Sequence, residues 1–471
     1  MKTPLFLITL ALLLVHYLLI KAQPKQILTL QDCIDLALER NLQLQLQKNA
    51  VESAQLNFLQ SKMSYLPTIN ATLDYRNNFG ITFDFLQFQR VARTTSFSNP
   101  TLVLSTPLFN GFFRYYTLQQ NLYNLQAAGA ALNRVQNEVL TNVLALYLQL
   151  IIDKGNIEIA QKRKELLAQQ LKRVQDLYES GRTTKAEPLN IQAQIANETL
   201  NLVNLQNLYQ RNLFNLLQLL RLDIDTEYEI EIPPLPQETF LKDPLPPLSE
   251  ILENAQQNMP EILEQKLRIT ANAYNVKAAK AALQPTLNLN AGLASNFSSN
   301  GGIPVYEFQT INIAGYEFPV ARQLKRIDRA SYFAQIEDNF SQFINFSLNI
   351  PIYNGYRART NLQQAELAKK NAELNLQVAQ NNLARIVQQA YLDAQAAKAR
   401  YETIEQQLAA TLESFKIAEI QYAAGSINFY AYLENLNNKT RLETELKQTL
   451  YDYYFRRKIL DIYNGKTITL D

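Results

Sequence analysis

Very few side chains in this sequence have the chemistry that catalysis usually requires. The only histidine is His16, within an apolar N-terminal segment, and the only cysteine is Cys33. A single cysteine cannot form an internal disulfide. If the segment with His16 is removed, no histidine-based acid–base pair, catalytic triad or ordinary zinc site is available. Cys33 lies in a helical pattern, where a small buried hydrophobe is the expected role.

Carboxylates are the other candidates for chemistry. Paired carboxylates can hydrolyse glycosides, but no nucleophile motif or pocket signature accompanies the acidic residues of this chain. An exported hydrolase therefore has no support beyond the presence of acids. The sequence predicts a protein that is not an enzyme and that uses no cofactor and no metal.

The N-terminus has the features of a secretory signal peptide. An apolar run from Leu5 to Ile20 follows Lys2, and Lys21-Ala22-Gln23 offers a small-residue cleavage point. The run is short for a membrane-spanning helix, so residues 1–22 are predicted to be a signal peptide, with a retained anchor as the alternative. Its removal takes away Lys2 and Lys21, which leaves 43 of the 45 cationic residues against 43 acids. Such a neutral chain has no basic field for nucleic acid.

Two short motifs occur twice with the same spacing. Pro107-Leu-Phe-Asn-Gly111 returns as Pro351-Ile-Tyr-Asn-Gly355, and Tyr178-Glu-Ser-Gly181 returns as Tyr422-Ala-Ala-Gly425, both at an offset of 244 residues. The first pair is interpreted as strand-to-helix junctions and the second as the tips of helical hairpins. Fixed spacing indicates an internal two-fold repeat. The predicted organisation is a first repeat (23–223), a proline-rich linker (224–247) and a second repeat (248–471).

Each repeat is predicted to begin with a helix that leads into strands. One helix runs from Asp32 to about Tyr65 and the other from Ile262 to about Leu283, each ending before a proline, because the residue ahead of a proline avoids the helical region. Alternating apolar and polar residues then predict strands in four segments: 68–75, 102–104, 287–293 and 344–350. This alternation fits a half-buried soluble sheet, and it also fits a membrane barrel with lipid outside and water inside.

Two long loops separate these strands, at about 76–97 and 298–339. Loops of this length are usually functional or disordered. The second loop carries four basic residues, which are expected to form a solvated surface: Arg322, Lys325, Arg326 and Arg329.

Very long helices follow the strands. Only Gly129 and Gly155 interrupt residues 112–178, and residues 356–422 contain neither proline nor glycine. At 1.5 Å per residue each predicted helix is about 100 Å long. Residues at heptad spacing in the second helix are typical of a coiled coil: Ala365, Ala372, Ala379 and Ile386, and Leu376, Leu383, Ala390, Ala397 and Ile404. Glycine caps at both tips are predicted to turn each chain segment back into a helical hairpin.

The strands require partners if they lie in a membrane. No apolar run after residue 22 reaches about 18 residues, so we expect no membrane-spanning helix. Four strands cannot close a barrel, since a small closed barrel needs about eight, and an open edge in lipid leaves backbone groups without partners. Membrane-borne strands would have to share one barrel among several chains. The predicted fold class is therefore mainly α, with long coiled-coil hairpins and a β part in the membrane.

Several motifs resemble those of TolC-like outer membrane efflux proteins. They are Leu28-Thr-Leu-Gln-Asp-Cys-Ile-Asp-Leu-Ala-Leu-Glu-Arg-Asn41, Leu66-Pro-Thr68, the two Pro-x-x-Asn-Gly junctions and the two Tyr-x-x-Gly tips. The resemblance implies a homotrimer whose chains share a twelve-stranded β-barrel in outer-membrane lipid and a tunnel of twelve helices, an α-barrel, in the periplasm of a Gram-negative bacterium. It also implies a periplasmic adaptor and an inner-membrane transporter as partners.

The resemblance further implies a gate at the hairpin tips. The acid six residues after the first tip glycine is Glu187, whereas the two acid positions of the second copy are Ala431 and Glu434. The gate-locking tyrosine matches Tyr422, and its basic companion is replaced by Ile427. From the residues alone, a ring of carboxylates favours cations, with solvated acids at helix starts as the alternative. The tip residues expected to contact the adaptor are Gly181, Arg182, Thr183, Gly425, Ser426 and Ile427.

Two functions fit these features. The first is a passive exit duct of a multidrug efflux pump or a type I secretion system. The second is a secreted coiled-coil adhesin or structural fibre, which would have no lipid-facing strands. Drugs, metals, small toxins and polypeptides would all be possible cargo of the duct.

Overall fold

The computed structural model describes residues 25–84, 89–92, 94–234, 244–299, 303–328, 331–427 and 429–465. The predicted signal peptide lies outside the described residues, as do residues 235–243 of the predicted linker. The chain divides into two compact units. The first comprises residues 1–54, 125–268 and 372–471, and the second comprises residues 55–124 and 269–371.

Helices make up most of the chain, and their lengths correspond in pairs. The helices are α1 (Leu30–Arg40), α2 (Leu42–Met63), α3 (Phe113–Glu179), α4 (Ala186–Leu220), α5 (Leu248–Asn258), α6 (Pro260–Ala281), α7 (Tyr332–Asp338), α8 (Arg357–Ala423) and α9 (Phe429–Tyr463). The helices α1 and α5 have 11 residues each, α2 and α6 have 22, α3 and α8 have 67, and α4 and α9 have 35. Only the short α7 has no counterpart among the described residues.

The predicted helix from Asp32 to Tyr65 is in fact two helices, which meet at Asn41. The backbone of Asn41 is extended, and its side-chain oxygen accepts hydrogen bonds from the backbone N–H groups of Gln43 (2.9 Å) and Leu44 (3.3 Å). An asparagine side chain that caps the next helix competes with helix continuation. This capping explains the break, which apolar periodicity alone does not reveal.

The first unit contains two buried apolar clusters. The larger cluster joins α1, α2, α3, α4 and α9, and includes Cys33, Tyr147 and Phe455. The smaller cluster joins α5, α6, α8 and α9, and includes Ile251, Ile262 and Leu383. Cys33 has no exposed surface, so its predicted role as a buried hydrophobe is confirmed, and burial raises the pKa of its thiol to about 12.

Two of the heptad stripes of α8 are partly buried. Ala365, Ala372, Leu383 and Ala397 are buried, whereas Ile386 is exposed. Small buried residues allow close approach of neighbouring helices. The exposed remainder of α8 is available for further packing.

Helix α3 has an unexpected apolar stretch. Among the described helices it alone contains a stretch that is long and apolar enough to cross a membrane by length and composition. No such stretch was expected from the sequence. Its buried residues from Val139 to Ile151 pack within the larger cluster, which accounts for their apolar character.

Two short strands in the first unit are tied to the helices by tyrosines. Strand β1 (Gln26–Leu28) pairs in parallel with β6 (Tyr228–Ile230), which lies within the predicted linker. The Tyr147 hydroxyl contacts the carbonyl oxygens of Leu28 and Glu231, and the Tyr451 hydroxyl donates to the carbonyl of Pro233 at 2.6 Å. These phenols satisfy carbonyl groups next to the apolar core.

The second unit contains an antiparallel sheet in the order β11–β7–β5–β2. Its strands are β2 (Thr68–Asn78), β5 (Thr95–Phe109), β7 (Thr286–Ala294) and β11 (Ser341–Asn349), and the two-residue β8 (Phe297–Ser298) also pairs with β5. All four predicted strand segments lie in this sheet. Its middle pair, β5 with β7, joins the first half of the chain to the second.

The two predicted loops contain additional strands. One holds the hairpin β3 (Ile81–Asp84) and β4 (Gln89–Ala92), and the other holds the hairpin β9 (Ile303–Ile313) and β10 (Tyr316–Asp328), followed by α7. Ala314 and Gly315 at the second turn both have positive φ angles, as two-residue hairpin turns require. The basic residues Arg322, Lys325 and Arg326 are therefore in a strand rather than a loop. Arg329 lies outside the described residues.

Candidate gate and strand-to-helix junctions

Both hairpin tips end their long helices with the same hydrogen-bond pattern. Gly181 (φ 72°) and Gly425 (φ 71°) are left-handed, as predicted. The N–H of Gly181 donates to Tyr178 O (2.9 Å) and that of Arg182 donates to Leu177 O (2.8 Å), while Gly425 and Ser426 donate in the same way to residues of α8 (3.0 and 2.8 Å). This pair of hydrogen bonds is the Schellman motif, in which glycine tolerates the positive φ angle.

Tyr422 lies in a contact between helices close to the second tip. The Arg173 guanidinium of α3 hydrogen-bonds the Tyr422 hydroxyl and lies 5.5 Å from the centre of its ring. The Tyr422 ring stacks on Tyr432 of α9, with centroids 4.8 Å apart and an interplanar angle of 19°. Phe415 and Lys439 continue this series, with the Lys439 Nζ 4.7 Å from the Phe415 centroid. Tyr422 thus connects three helices.

Arg173 supplies a cation that the sequence analysis missed. The resemblance places a basic residue two positions after the second tip glycine, where this chain has Ile427. Arg173 comes instead from the other half of the chain, 249 positions before Tyr422. No local sequence signal predicts a contact at that separation.

The two candidate gate carboxylates are both exposed. Glu187 lies in the first turn of α4, and its N–H donates to Thr184 O at 3.3 Å. Glu434 lies on α9 and lines a cleft of about 780 Å³ together with Lys162, Arg163 and Arg441. Glu187 is not among the residues that line this cleft, so within the described part of the chain the structure does not bring the two carboxylates together there.

The cations of this cleft are already paired with other acids. Lys162 contacts Glu158 at 2.7 Å, Arg163 contacts Glu198 at 3.7 Å and Arg441 contacts Glu445 at 2.7 Å. Glu434 is the one acid among the described residues that line the cleft, and none of these ion pairs includes it. Its carboxylate therefore keeps its charge exposed to solvent.

The two strand-to-helix junctions share an unusual backbone. Gly111 (φ 63°) is followed by Phe112 (φ 66°), and Gly355 (φ 65°) is followed by Tyr356 (φ 66°). Positive φ in a bulky aromatic residue is rare and strained. Its recurrence at both junctions shows that the same sharp turn leads each strand into its long helix. The glycines were predicted there, but the left-handed aromatic residues were not.

Pro107 and Pro351 precede these turns in slightly different settings. Pro107 lies inside β5, next to an irregularity in its pairing with β7, and Pro351 lies two residues after the end of β11. Proline lacks a backbone donor, so it suits a bulge or a position beyond the strand end. In both places it lies where regular pairing is interrupted or has ended ahead of the turn.

The described residues offer no arrangement for metal catalysis. Nowhere in the described ranges do three or more His, Cys, Asp or Glu residues group to hold a metal ion. The clefts at the junctions and near Glu434 are open grooves rather than enclosed pockets.

Comparison with solved structures defines the class of fold. The chain is similar to CusC, with a TM-score of 0.72 and 16% identity over 95% of this chain and 96% of that chain. It is also similar to VceC from Vibrio cholerae, with a TM-score of 0.71 and 16% identity over 93% and 97% of the two chains. These likenesses define the fold of an outer membrane channel protein.

Sequence comparison places the chain in a family. The family model for outer membrane efflux proteins matches residues 33–220 and 251–453, and the chain belongs to this family. It is 21% identical to the outer membrane protein TolC of Escherichia coli (strain K12) over 358 residues, which cover 76% of this chain and 67% of TolC. The resemblance inferred from the motifs is thus confirmed.

Proposed function

We propose that this protein is a passive exit duct in the outer membrane of a Gram-negative bacterium, formed by three copies of the chain. The three sheets close one twelve-stranded barrel in lipid, and the long helices form a tunnel in the periplasm. A periplasmic adaptor at the hairpin tips and an inner-membrane transporter complete an efflux pump or a type I secretion system. The observation that carries this proposal is the pair of open edges of the four-stranded sheet.

The two outer strands of the sheet are open to solvent along their length. Every residue of β11 is exposed, as is nearly every residue of β2. An open edge can pair with a strand of another chain. In lipid, the unpaired backbone groups of an open edge are very unfavourable. The sheet therefore needs a partner for β2 and a partner for β11, and in the proposed trimer the two neighbouring copies of the chain provide them.

The repeat identifies the register of that pairing. Thr286 begins β7 as Thr68 begins β2, so Asn290 corresponds to Thr72, and Asn349 corresponds to Ser105 by the repeated junction motif. This correspondence agrees with the sheet, since Thr68 pairs with Ser105 and Thr286 pairs with Asn349. Ser105 pairs with Asn290 across the middle of the sheet. The equivalent contact between copies joins Asn349 to Thr72.

A disulfide test follows directly from this register. In a Cys33→Ala background, Thr72→Cys with Asn349→Cys is expected to give covalent trimers on mild oxidation, resolved by denaturing electrophoresis. Within one chain β2 and β11 are three strand spacings apart, about 14 Å, which is too far for a disulfide. Any bond must therefore join two copies.

The matched control shifts one cysteine by four residues along β2. Thr68→Cys with Asn349→Cys is expected to leave monomers, because its cysteines would be about 13 Å out of register. Equal cross-linking in both variants would show that the proposed register is wrong. A protein that stays monomeric and water-soluble without detergent would reject the duct and favour the adhesin.

The gate is the second part of the proposal. Arg173 and Tyr422 tie α3 to α8 near the tip, and Glu187 and Glu434 present exposed carboxylates beyond it. In a trimer these carboxylates form rings that favour cations. Tyr422 takes part both in the contact with Arg173 and in the aromatic stack with Tyr432 on α9.

Planar bilayer recordings test the gate. The double variant Glu187→Gln with Glu434→Gln is expected to lose cation block, and Arg173→Gln is expected to raise conductance because it releases α3 from α8. Lys172→Gln is the control, since Lys172 is an exposed neighbour of Arg173 on the same helix. If conductance and cation block were the same in all four proteins, the gate would lie elsewhere.

A further inference from the structure

The helical sides of the strand-to-helix junctions carry cations but no acids. The segments concerned are residues 55–68, 107–124, 269–286 and 349–365, and they contain no Asp or Glu. Their cationic residues, called the junction cations below, are Lys62, Arg114, Lys277, Lys280, Arg357 and Arg359. The whole chain is close to neutral, with 45 cationic and 43 acidic residues. This local surplus of positive charge therefore stands out from the rest of the chain.

The four segments are neighbours in the second unit. The Asn121 side chain donates to Asn57 O at 3.3 Å, and the rings of Tyr123 and Tyr274 stack with centroids 5.6 Å apart. The segments 269–286 and 349–365 together line a cleft of about 580 Å³. The junction cations therefore lie in one region of the second unit.

The junction cations lie without acidic partners among the residues that the structure describes. Five of them are exposed and Arg114 is half-buried. In the described part of the chain none of the six forms an ion pair, although cations elsewhere do, such as Lys154 with Glu229 at 2.8 Å. Unpaired cations of one sign form an anion-attracting surface.

Aromatic rings accompany these cations. Arg114 lies 5.7 Å from the Tyr65 centroid, Lys277 lies 4.7 Å from that of Tyr274, and Arg359 lies 5.5 Å from that of Tyr356. Other aromatic side chains nearby are exposed: Phe112, Phe113, Tyr115 and Tyr353. Tyrosine and phenylalanine next to lysine and arginine are the composition of a membrane–water interface.

Each junction also has a cleft beside one arginine. The first, of about 660 Å³, is lined by Thr68, Ser105, Asn110 and Arg114. The second is lined by the corresponding Thr286, Asn349 and Asn354, together with Arg357, which lies one position before the residue that corresponds to Arg114. Each cleft thus combines hydroxyl and amide groups with a guanidinium group. Guanidinium groups bind phosphate oxygens in a bidentate manner.

We propose that the junction cations bind the phosphate groups of anionic phospholipid at the helical end of the membrane strands. This inference rests on the proposed function, which puts the strands in a bilayer. An anionic leaflet attracts juxtamembrane lysine and arginine. The aromatic rings then lie at the level of the headgroups, and the apolar strand faces continue into the acyl region.

Lipid titration of the trimer in mild detergent tests this proposal. The midpoint of heat-induced trimer dissociation is measured with added phosphatidylglycerol, phosphatidylethanolamine or inorganic phosphate. Phosphatidylglycerol is expected to raise the midpoint most, and high salt is expected to weaken the effect through screening. Replacing Lys62, Lys277 and Lys280 by Gln is expected to weaken the apparent affinity for phosphatidylglycerol about tenfold or more.

Matched variants separate this site from a general charge effect. The control replaces Lys48, Lys164 and Lys447 by Gln; these lysines lie outside the four segments, and its affinity is expected to equal that of the wild type. A second variant, with Arg114, Arg357 and Arg359 replaced by Gln, is expected to lose affinity without any change at the lysines. Native mass spectrometry counts the lipid bound to each trimer.

Three outcomes would overturn the inference. They are equal binding of the two phospholipids by the wild type, an equal shift with inorganic phosphate alone, and unchanged affinity in both junction variants. A change in ion selectivity without a change in lipid affinity would also overturn it, because the cations would then line the lumen. A wild-type trimer that conducts yet ignores phosphatidylglycerol rejects only this inference, whereas a chain that forms no trimer and no channel rejects the proposed function.

Discussion

The two strand-to-helix junctions have the same backbone but different surroundings. A Cβ atom added to Gly111 would lie 2.6 Å from the Gln284 Cβ and 2.9 Å from the Ala281 carbonyl oxygen, at the end of α6. A Cβ added to Gly355 would meet nothing within 4 Å. The first junction thus packs against a helix end from the other half of the same chain, while the second junction has no such neighbour.

The repeat explains this difference. The helix end that contacts Gly111 belongs to α6, and the corresponding helix of the first half is α2. In one chain α2 has no second-half junction to contact. In the proposed trimer the α2 end of a neighbouring copy would contact Gly355, just as β2 of that copy would pair with β11. Sheet edge and junction therefore point to the same missing partner.

The same asymmetry extends to the helical unit. Tyr147 of α3 is fully buried and contacts two carbonyl oxygens, whereas the corresponding residue of α8, Tyr391, is partly buried and borders the smaller cluster. Helix α1 begins with a capping box in which Thr29 and Asp32 bond each other, whereas α5 begins at Pro247 without a side-chain cap. The first half completes its core within the chain, and the second half leaves more surface for another copy.

The largest expected effect comes from substituting the two glycines. Gly111→Ala is expected to destabilise the protein by about 2–5 kcal/mol, because left-handed strain adds to a clash with the end of α6. In the monomer Gly355→Ala should show only the strain, about 1–2 kcal/mol, since its surroundings are open. Denaturant unfolding of monomers, compared with heat dissociation of trimers, measures both variants.

The trimer provides a stricter test of the difference between Gly111 and Gly355. If a neighbouring α2 covers Gly355, the effect of Gly355→Ala should rise toward that of Gly111→Ala once the copies assemble. Equal and small effects of Gly355→Ala in monomer and trimer would mean that no helix end covers the second junction.

The next effect in size concerns Tyr147 and Tyr391, the corresponding tyrosines of the two halves. Tyr147→Phe is expected to cost about 1–3 kcal/mol, because buried carbonyl oxygens lose their donor. Tyr391→Phe is the matched change in the second half and is expected to be nearly neutral, since Tyr391 is partly open to solvent. Thermal unfolding followed by circular dichroism compares the two. A larger loss for Tyr391→Phe would contradict the assignment of the complete core to the first half.

The sequence predicts the helices and strands of this fold better than the contacts that they make with one another. The motif repeat and the absence of proline predicted the long helices and the tip glycines, and the alternation of apolar and polar residues predicted the four sheet segments. Periodicity could not locate the break at Asn41, because it depends on one side chain that caps the following helix. Nor could it predict the Arg173–Tyr422 contact, which joins residues 249 positions apart. Local patterns carry backbone preferences, whereas long-range contacts depend on how the helices pack.

The candidate site shows the same division. Glu187 and Glu434 could be located by their distance from the tip glycines, but their exposure is known only from the structure. The hairpin of β9 and β10 was predicted as part of a long loop, and its strands contain Pro304 and Pro319. Proline within a segment argues against a central strand, and here it occurs in a two-stranded sheet with open edges.

The smallest expected effect concerns a half-buried acid that only the second half has. Glu261 is the second residue of α6, and the corresponding residue of α2 is Gln43. Burial raises the pKa of Glu261 from its ordinary value of 4.5, and the nearby Glu138 and Glu264 add to this shift, whereas Arg134 opposes it. Glu261→Gln makes the second half resemble the first at this position.

The sign of the effect follows from linkage between pKa and stability. Because the folded-state pKa is raised, the folded chain is destabilised as pH rises through it, and the full loss is present above it. Below the ordinary value of 4.5 both states are protonated and the loss disappears. Glu261→Gln should therefore raise the thermal midpoint at pH 8 but leave it unchanged at pH 4. Glu250→Gln, at an exposed acid of α5, should change neither value. A lower midpoint for Glu261→Gln at pH 8 would mean that attraction to Arg134 and to the helix N-terminus outweighs burial, and this acid would then stabilise the second half.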